Sequence, residues 1–131
     1  MIFERYLKSY VSKFLSEKMV FLGGPRQVGK TILALGILGE AADEGHPAYL
    51  NWDNPLVPPQ LKKGELPSNQ RCIVLDEIHK YSKWRNLVKG LYDTNKSRLQ
   101  FIITGSARLD YYRRGGDSLQ GRYYFLRLHP F

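Results

Sequence analysis

The stretch Gly24-Pro25-Arg26-Gln27-Val28-Gly29-Lys30-Thr31 constrains this chain more than any other. Its glycines, with lysine and threonine directly behind the second, fit the pattern G-x-x-x-x-G-K-[ST]. Gly24 and Gly29 allow backbone conformations that a side chain would block, so successive N–H groups can turn inward around an anion. A helix starting near Lys30 adds the positive end of its dipole at the same place. Such a loop needs a strand before it and a helix after it. Met19-Val20-Phe21-Leu22 reads as a short buried strand, and Ile32 to Leu38 is apolar and helix-compatible. The pattern therefore predicts a phosphate-binding loop made by Gly24, Pro25, Arg26, Gln27, Val28, Gly29, Lys30, Thr31 and Ile32. In it Lys30 reaches the outer phosphates of a triphosphate, and the Thr31 hydroxyl holds Mg²⁺.

The rest of the chain alternates strand and helix signals. Ile2, Phe3, Tyr6, Leu7, Tyr10, Val11, Phe14 and Leu15 recur at helical spacing and predict an amphipathic helix over 2–17. We expect it to pack on the domain's own sheet; its basic polar face leaves a partner-binding or membrane-surface role as the alternative. After the strand at 19–22, a helix is expected from about 30 to 43, then a strand over 47–51. Residues 55–70 are rich in Pro and Gly and predict irregular chain with one short helix around 59–63. Arg71 to Leu75 is a continuous apolar strand, the mark of burial on both faces. A helix over 81–95, a strand over 99–103, a short helix over about 107–114 and a last strand over 122–128 complete the order. Alternating strands and helices imply an α/β fold whose parallel sheet is covered on both faces. In such sheets ligands bind at the carboxyl ends of the strands.

Several polar features fall at those ends. Asp76 follows the apolar run Ile73-Val74-Leu75 and fits the second nucleotide motif, Walker B, with its carboxylate toward Mg²⁺. Glu77, next to it, can take a proton from an attacking water or orient that water toward a γ-phosphate. Thr104 ends the next strand and is placed to bond the attacking water or the γ-phosphate; Ser106 shares that role or caps a helix. Arg122 opens the final strand and is a candidate to stabilise transferring charge, in cis or from a neighbouring subunit, or else a surface arginine. Arg108, Arg113 and Arg114 are weaker candidates, and His79 reads first as a helix cap.

Composition narrows the classes. The 131 residues read as one domain, 1–131, long enough for a hydrophobic core. A formal net charge of +8 favours anionic partners: nucleotide, nucleic acid or an acidic surface. No run of like charge reads as a nucleic-acid-binding tail. Cys72 is the one cysteine, so no internal disulfide forms, and its apolar run makes it a buried filler. There is no zinc-type cluster, no segment apolar enough to span a membrane and no signal-peptide core. A cytoplasmic location is the expectation.

Taken together, 24–31, Tyr49-Leu50-Asn51-Trp52-Asp53, Leu75-Asp76-Glu77-Ile78-His79-Lys80 with Trp84, Thr104-Gly105-Ser106, and Leu119-Gln120-Gly121-Arg122-Tyr123 with His129-Pro130-Phe131 resemble a family of prokaryotic AAA-type ATPases. The motifs occur in family order along essentially the whole chain. The resemblance implies a P-loop three-layer sandwich with a five-stranded, mostly parallel sheet in the order 5-1-4-3-2, behind the N-terminal helix. It implies binding of ATP and Mg²⁺, with Lys30, Thr31, Asp76 and Glu77 in the roles above, Thr104 or Ser106 as sensor and Arg122 as an arginine finger. Beside nucleotide, the partners left open are a second copy of the chain, a partner protein and nucleic acid. Family members continue past the Pro-Phe pair, whereas this chain stops at Phe131, so a core without lid or C-terminal domain is expected.

The leading expectation is an ATPase that couples nucleotide state to a conformational change. The alternatives are a nucleotide-binding switch with little turnover, a small-molecule kinase and a DNA-binding module. Adjacent Asp76 and Glu77 speak against the kinase, whose acceptor is a substrate hydroxyl. A GTPase is disfavoured because Asn95-Lys96-Ser97-Arg98 has arginine where a guanine-reading Asn-Lys-x-Asp needs aspartate.

Overall fold

Five short runs rich in β-branched, aromatic and leucine side chains supply the sheet of a computed structural model that describes residues 2–24, 29–39, 42–105, 119 and 121–127. They are β1 (Met19–Gly23), β2 (Tyr49–Asn51), β3 (Cys72–Asp76), β4 (Gln100–Thr104) and β5 (Tyr123–Arg127). The spatial order is β2-β3-β4-β1-β5, which is 5-1-4-3-2 from the other edge, and every pairing is parallel. Where mostly parallel pairing was expected, all of it is parallel.

The strands alternate with α1 (Ile2–Leu15), α2 (Lys30–Leu38), α3 (Val57–Lys62) and α4 (Trp84–Asn95). Period-2 side chains send one set to each face. Val20, Leu22, Tyr49, Val74 and Ile102 pack against Val11 and Leu15 of α1 and Leu33 and Ala34 of α2. Met19, Phe21, Leu50, Ile73, Leu75, Phe101 and Ile103 pack against Val57 and Leu61 of α3 and Trp84, Val88 and Leu91 of α4. Helices on both faces make the three layers. Full burial of each Val, Leu, Ile, Phe or Met among them contributes about 1.5–3 kcal/mol of transfer free energy.

Some boundaries differ from the sequence expectation. The second helix ends at Leu38 rather than near 43, because the chain turns extended at Gly39, whose N–H closes the last turn on Leu35 O at 3.2 Å. β2 starts at Tyr49 rather than 47; Pro47 has no N–H to give a ladder. α3 starts earlier than expected, with Pro58 and Pro59 in its first turn, where a missing donor costs nothing. α4 starts at Trp84 because Ile78–Lys80 first makes a 3₁₀ turn. The helix expected over 107–114 lies outside the described residues.

Candidate functional site at the carboxyl edge of the sheet

Register determines what meets at this edge. Asn51 pairs with Asp76, Asp76 with Thr104, and Thr104 with Leu22, across four neighbouring strands. Residues paired in this way sit level with one another. Asp76 and Thr104 each stand two residues beyond an apolar position facing α2, namely Val74 and Ile102, and so point to the same face. α2 begins above them at Lys30, directly after the loop leaving β1.

The outcome is a hub of hydroxyls on one buried carboxylate. Thr104 Oγ1 donates to Asp76 Oδ1 at 2.8 Å. Tyr49 OH donates to Asp76 Oδ2 at 2.5 Å, and Thr31 Oγ1 lies 3.3 Å from the same oxygen. Asp76 is 6% exposed and Thr104 1%, so these donors replace the water the carboxylate has lost. Tyr49 in turn accepts from Asn51 Nδ2 at 3.2 Å. Burial first, and then the Asp76 carboxylate it donates to, hold the Tyr49 phenol well above the usual tyrosine range, so it stays a donor.

Lys30 is buried at the start of α2, and its ammonium donates to Gly24 O at 2.7 Å and to Gly105 O. It thus joins the carboxyl ends of β1 and β4 in front of the hub. Gly24 and Gly29 have φ of 131° and 79°, values that side chains rarely adopt, which accounts for glycine at both positions. Ile32, on the first turn of α2, is 68% exposed.

Glu77 follows Asp76 in a left-handed conformation, φ 63°, the one non-glycine residue with positive φ among those described. Its N–H donates to Thr104 O at 3.1 Å, which fastens the turn to β4. Its carboxylate lies 3.5 Å from Lys80 Nζ and 3.6 Å from His79 Nε2. Lys80 also bonds both Asp53 oxygens at 2.9 Å. Backbone strain of about 1–3 kcal/mol at one residue persists only where its surroundings hold it, and it concentrates at functional sites.

The structure brings Gly24, Gly29, Lys30, Thr31, Asp76, Glu77 and Thr104 to this edge. Pro25, Arg26, Gln27, Val28, Ser106, Arg108, Arg113 and Arg114 lie outside the described residues. Arg122 is not brought there, and the reading of it as a cis-acting group at this site needs correction. It precedes β5, and its carbonyl accepts from Met19 N at the start of β1, so it sits at the amino edge. There its Nε and Nη2 reach the two Asp93 oxygens at 2.8 and 3.1 Å. Residues before a parallel strand and residues after one lie at opposite edges, and this rule alone separates Arg122 from Asp76. His79 is buried in the turn after Glu77.

Sequence reasoning missed Tyr49 and Asn51 as parts of the hub. The available signal was a tyrosine on the strand expected beside β3, since a buried phenol needs a partner.

The donor chemistry suits Mg²⁺. Among the described residues no group of three or more His, Cys, Asp or Glu could hold a metal by itself. One carboxylate beside one hydroxyl is instead what a Mg²⁺ needs when phosphate oxygens and water supply the remaining ligands.

The comparisons agree with this architecture. Residues 16–131 match the family model described as AAA domain. Similar solved structures include AMPPCP-bound DnaA from Aquifex aeolicus, with TM-score 0.63 and 18% identity over 95% of this chain and 44% of that one. The RuvB Holliday junction branch migration motor of Thermotoga maritima gives TM-score 0.57 and 22% identity, over 95% of this chain and 44% of that one. C. elegans PCH-2 gives TM-score 0.59 and 14% identity, over 96% and 42%. The chain thus spans less than half the length of each. No curated protein matches by sequence. No helix among the described residues is long and apolar enough to cross a membrane. With the family model spanning residues 16–131 and this sheet order beneath it, the chain belongs to the AAA domain family.

Proposed function

We propose that residues 1–131 act as one nucleotide-binding core that takes ATP with Mg²⁺ at the carboxyl edge and hydrolyses it. The observation that carries this reading is the cluster at that edge. Lys30, Thr31, Asp76 and Thr104 come from three elements, and the Asp76 carboxylate collects hydroxyls within 2.5 to 3.3 Å. The neighbour solved with AMPPCP bound supports a nucleotide as ligand.

In this reading, backbone N–H groups of the loop bind the phosphates and the Lys30 ammonium moves from its carbonyl acceptors to the outer phosphates. Thr31 and Asp76 hold Mg²⁺, which when bound spreads the negative charge of the phosphate oxygens. Glu77 accepts the proton of the attacking water, and Thr104 orients that water. Arg122, at the far edge, contributes only across a boundary with a second copy. The nucleotide state then sets the conformation of a further domain or partner, and a cytoplasmic location goes with this role.

Phosphate release and nucleotide affinity test the reading. Lys30→Ala should lose ATP binding; Glu77→Gln should keep binding and lose turnover. Equal turnover in wild type and Glu77→Gln would defeat the hydrolytic step. A second reading, a switch with little turnover, is favoured by the Glu77 carboxylate already lying 3.5 Å from Lys80 Nζ. ATP-dependent thermal stabilisation without phosphate release would select it.

A further inference from the structure

The amino edge of the sheet carries a second concave feature, unrelated to the cluster above. Lys18 precedes β1, Arg71 precedes β3, and Lys96 and Arg98 lie between α4 and β4. These are neighbouring strands of a parallel sheet, so all four cations arrive at one place. They line a hollow of about 450 Å³ floored by Leu15, Tyr92 and Leu99. Ser16, Ser97 and Gln100 add neutral donors to the lining.

The charge balance of this hollow is uneven. Its one carboxylate, Glu17, accepts from Tyr124 OH at 3.3 Å. Among the described residues none of the four cations has a carboxylate oxygen within 4.0 Å. Arg98 is held by neutral acceptors, Pro67 O at 3.1 Å and Asn95 Oδ1 at 3.2 Å, which fix the guanidinium and leave its charge uncompensated. The Lys18 ammonium stands 5.1 Å over the Tyr124 ring. The nearby Asp93 bonds Arg122 at 2.8 Å and lies 3.6 Å from Lys89; it also attracts Lys96 at longer range, without contact, so it offsets only part of the charge of the hollow. Cations gathered around one hollow repel each other and focus a positive potential inside it.

We propose that this hollow binds a phosphate group. Its volume falls in the range of small-molecule sites, about 300–1,000 Å³, and suits one compact polyanion rather than a protein surface. Guanidinium forks match phosphate oxygens two at a time, and lysines and hydroxyls complete a tetrahedral oxygen set. The carboxylates of an acidic peptide would arrive singly and spread out, and so fit this geometry less well. The same chemistry belongs to a free phosphate ester and to a phosphodiester of nucleic acid. The inference does not depend on nucleotide binding at the opposite edge.

The test uses two probes, inorganic pyrophosphate and a short labelled oligothymidylate. Binding of each is measured in wild type, Lys30→Ala, Arg71→Glu/Lys96→Glu and a control, Lys62→Glu/Lys63→Glu. The control makes the same charge change on another exposed surface. Lys30→Ala should retain affinity for at least one probe at the amino edge. Arg71→Glu/Lys96→Glu should lose about tenfold or more, with a shallower salt dependence, while the control stays near wild type. Pyrophosphate binding marks a free phosphate ester; oligothymidylate alone marks a polynucleotide. Melting curves check folding, and Arg71→Gln/Lys96→Gln serves if the reversed pair does not fold. The proposal is overturned if neither probe binds Lys30→Ala below about 1 mM. Equal losses in control and test variants would also overturn it.

Discussion

Removing one oxygen from Tyr49 should measure how firmly the hub is built. In Tyr49→Phe the ring stays, so no cavity opens and only the bond to Asp76 Oδ2 is lost. That bond is 2.5 Å long, between residues 7% and 6% exposed, and its acceptor is ionised. Hydrogen bonds to charged groups are worth about 1.5–3 kcal/mol net. Asp76 keeps Thr104 at 2.8 Å and Thr31 at 3.3 Å, so it is not left bare. Asn51 loses its acceptor but is half-exposed and can turn to water. The cost is therefore about 2 kcal/mol, toward the lower part of that range. For 131 residues, an unfolding entropy of about 2.1 cal/mol/K per residue turns this into a fall in Tm of about 7 °C. Thermal unfolding followed by circular dichroism reads it directly. In an Asp76→Asn background the bond becomes neutral and worth about half as much, so a double-mutant cycle should show coupling of about 1 kcal/mol. A Tm within about 1 °C of wild type, or equal losses in both backgrounds, would refute the reasoning.

Other expectations follow from single contacts. Cys72 is half-buried rather than the fully buried filler expected, and this burial still pushes its thiol up to about 12, so at pH 8 it should react with a thiol reagent more slowly than an unfolded control, by about tenfold or more. The sign for stability follows: the thiol contributes nothing to pH dependence below about 9, and stability falls as pH rises from there, because the unfolded chain ionises first. Cys72→Ala should remove that alkaline slope in denaturant titrations. Glu77→Gly should hold or raise Tm because glycine relieves the left-handed backbone, whereas Glu77→Val should lower it. Gly23→Ala should cost about 1–3 kcal/mol, since its Cβ runs into the Phe125 ring, and Phe125→Leu should recover part of that. The Arg122 guanidinium holds the Asp93 carboxyl below the usual carboxylate range, so its stabilising contribution is present at neutral pH and lost in acid. The Asp93 carboxyl signal in an NMR titration should move upward in Arg122→Gln.

The sheet was legible because its strands are continuous apolar runs closed by polar residues, as at Ile73-Val74-Leu75-Asp76. Their alternation with helices left parallel pairing as the one economical arrangement. The level of Asp76 and Thr104 followed from both lying at strand ends. What escaped the sequence needed register or dihedral angles. Tyr49 pairs with Val74, two residues behind the edge, and only the length of its side chain carries the phenol to Asp76. The left-handed turn at Glu77 has no compositional mark, since glutamate is not a residue chosen for positive φ. The end of α2 at Leu38 also has a weak mark in the sequence: Gly39 takes extended backbone there, while a glycine inside a helical pattern is often tolerated. For Arg122 the residue type and the family resemblance allow a role at the site, but its place ahead of a parallel strand puts it at the far edge.

The most direct test of the whole account is calorimetric titration of ATP into this chain with and without Mg²⁺, in wild type, Lys30→Ala and Asp76→Asn. The account predicts saturable binding by wild type that Mg²⁺ strengthens, loss of binding in Lys30→Ala, and loss of the Mg²⁺ dependence in Asp76→Asn. Absence of binding in wild type, or affinity and metal dependence alike in all three proteins, would contradict it.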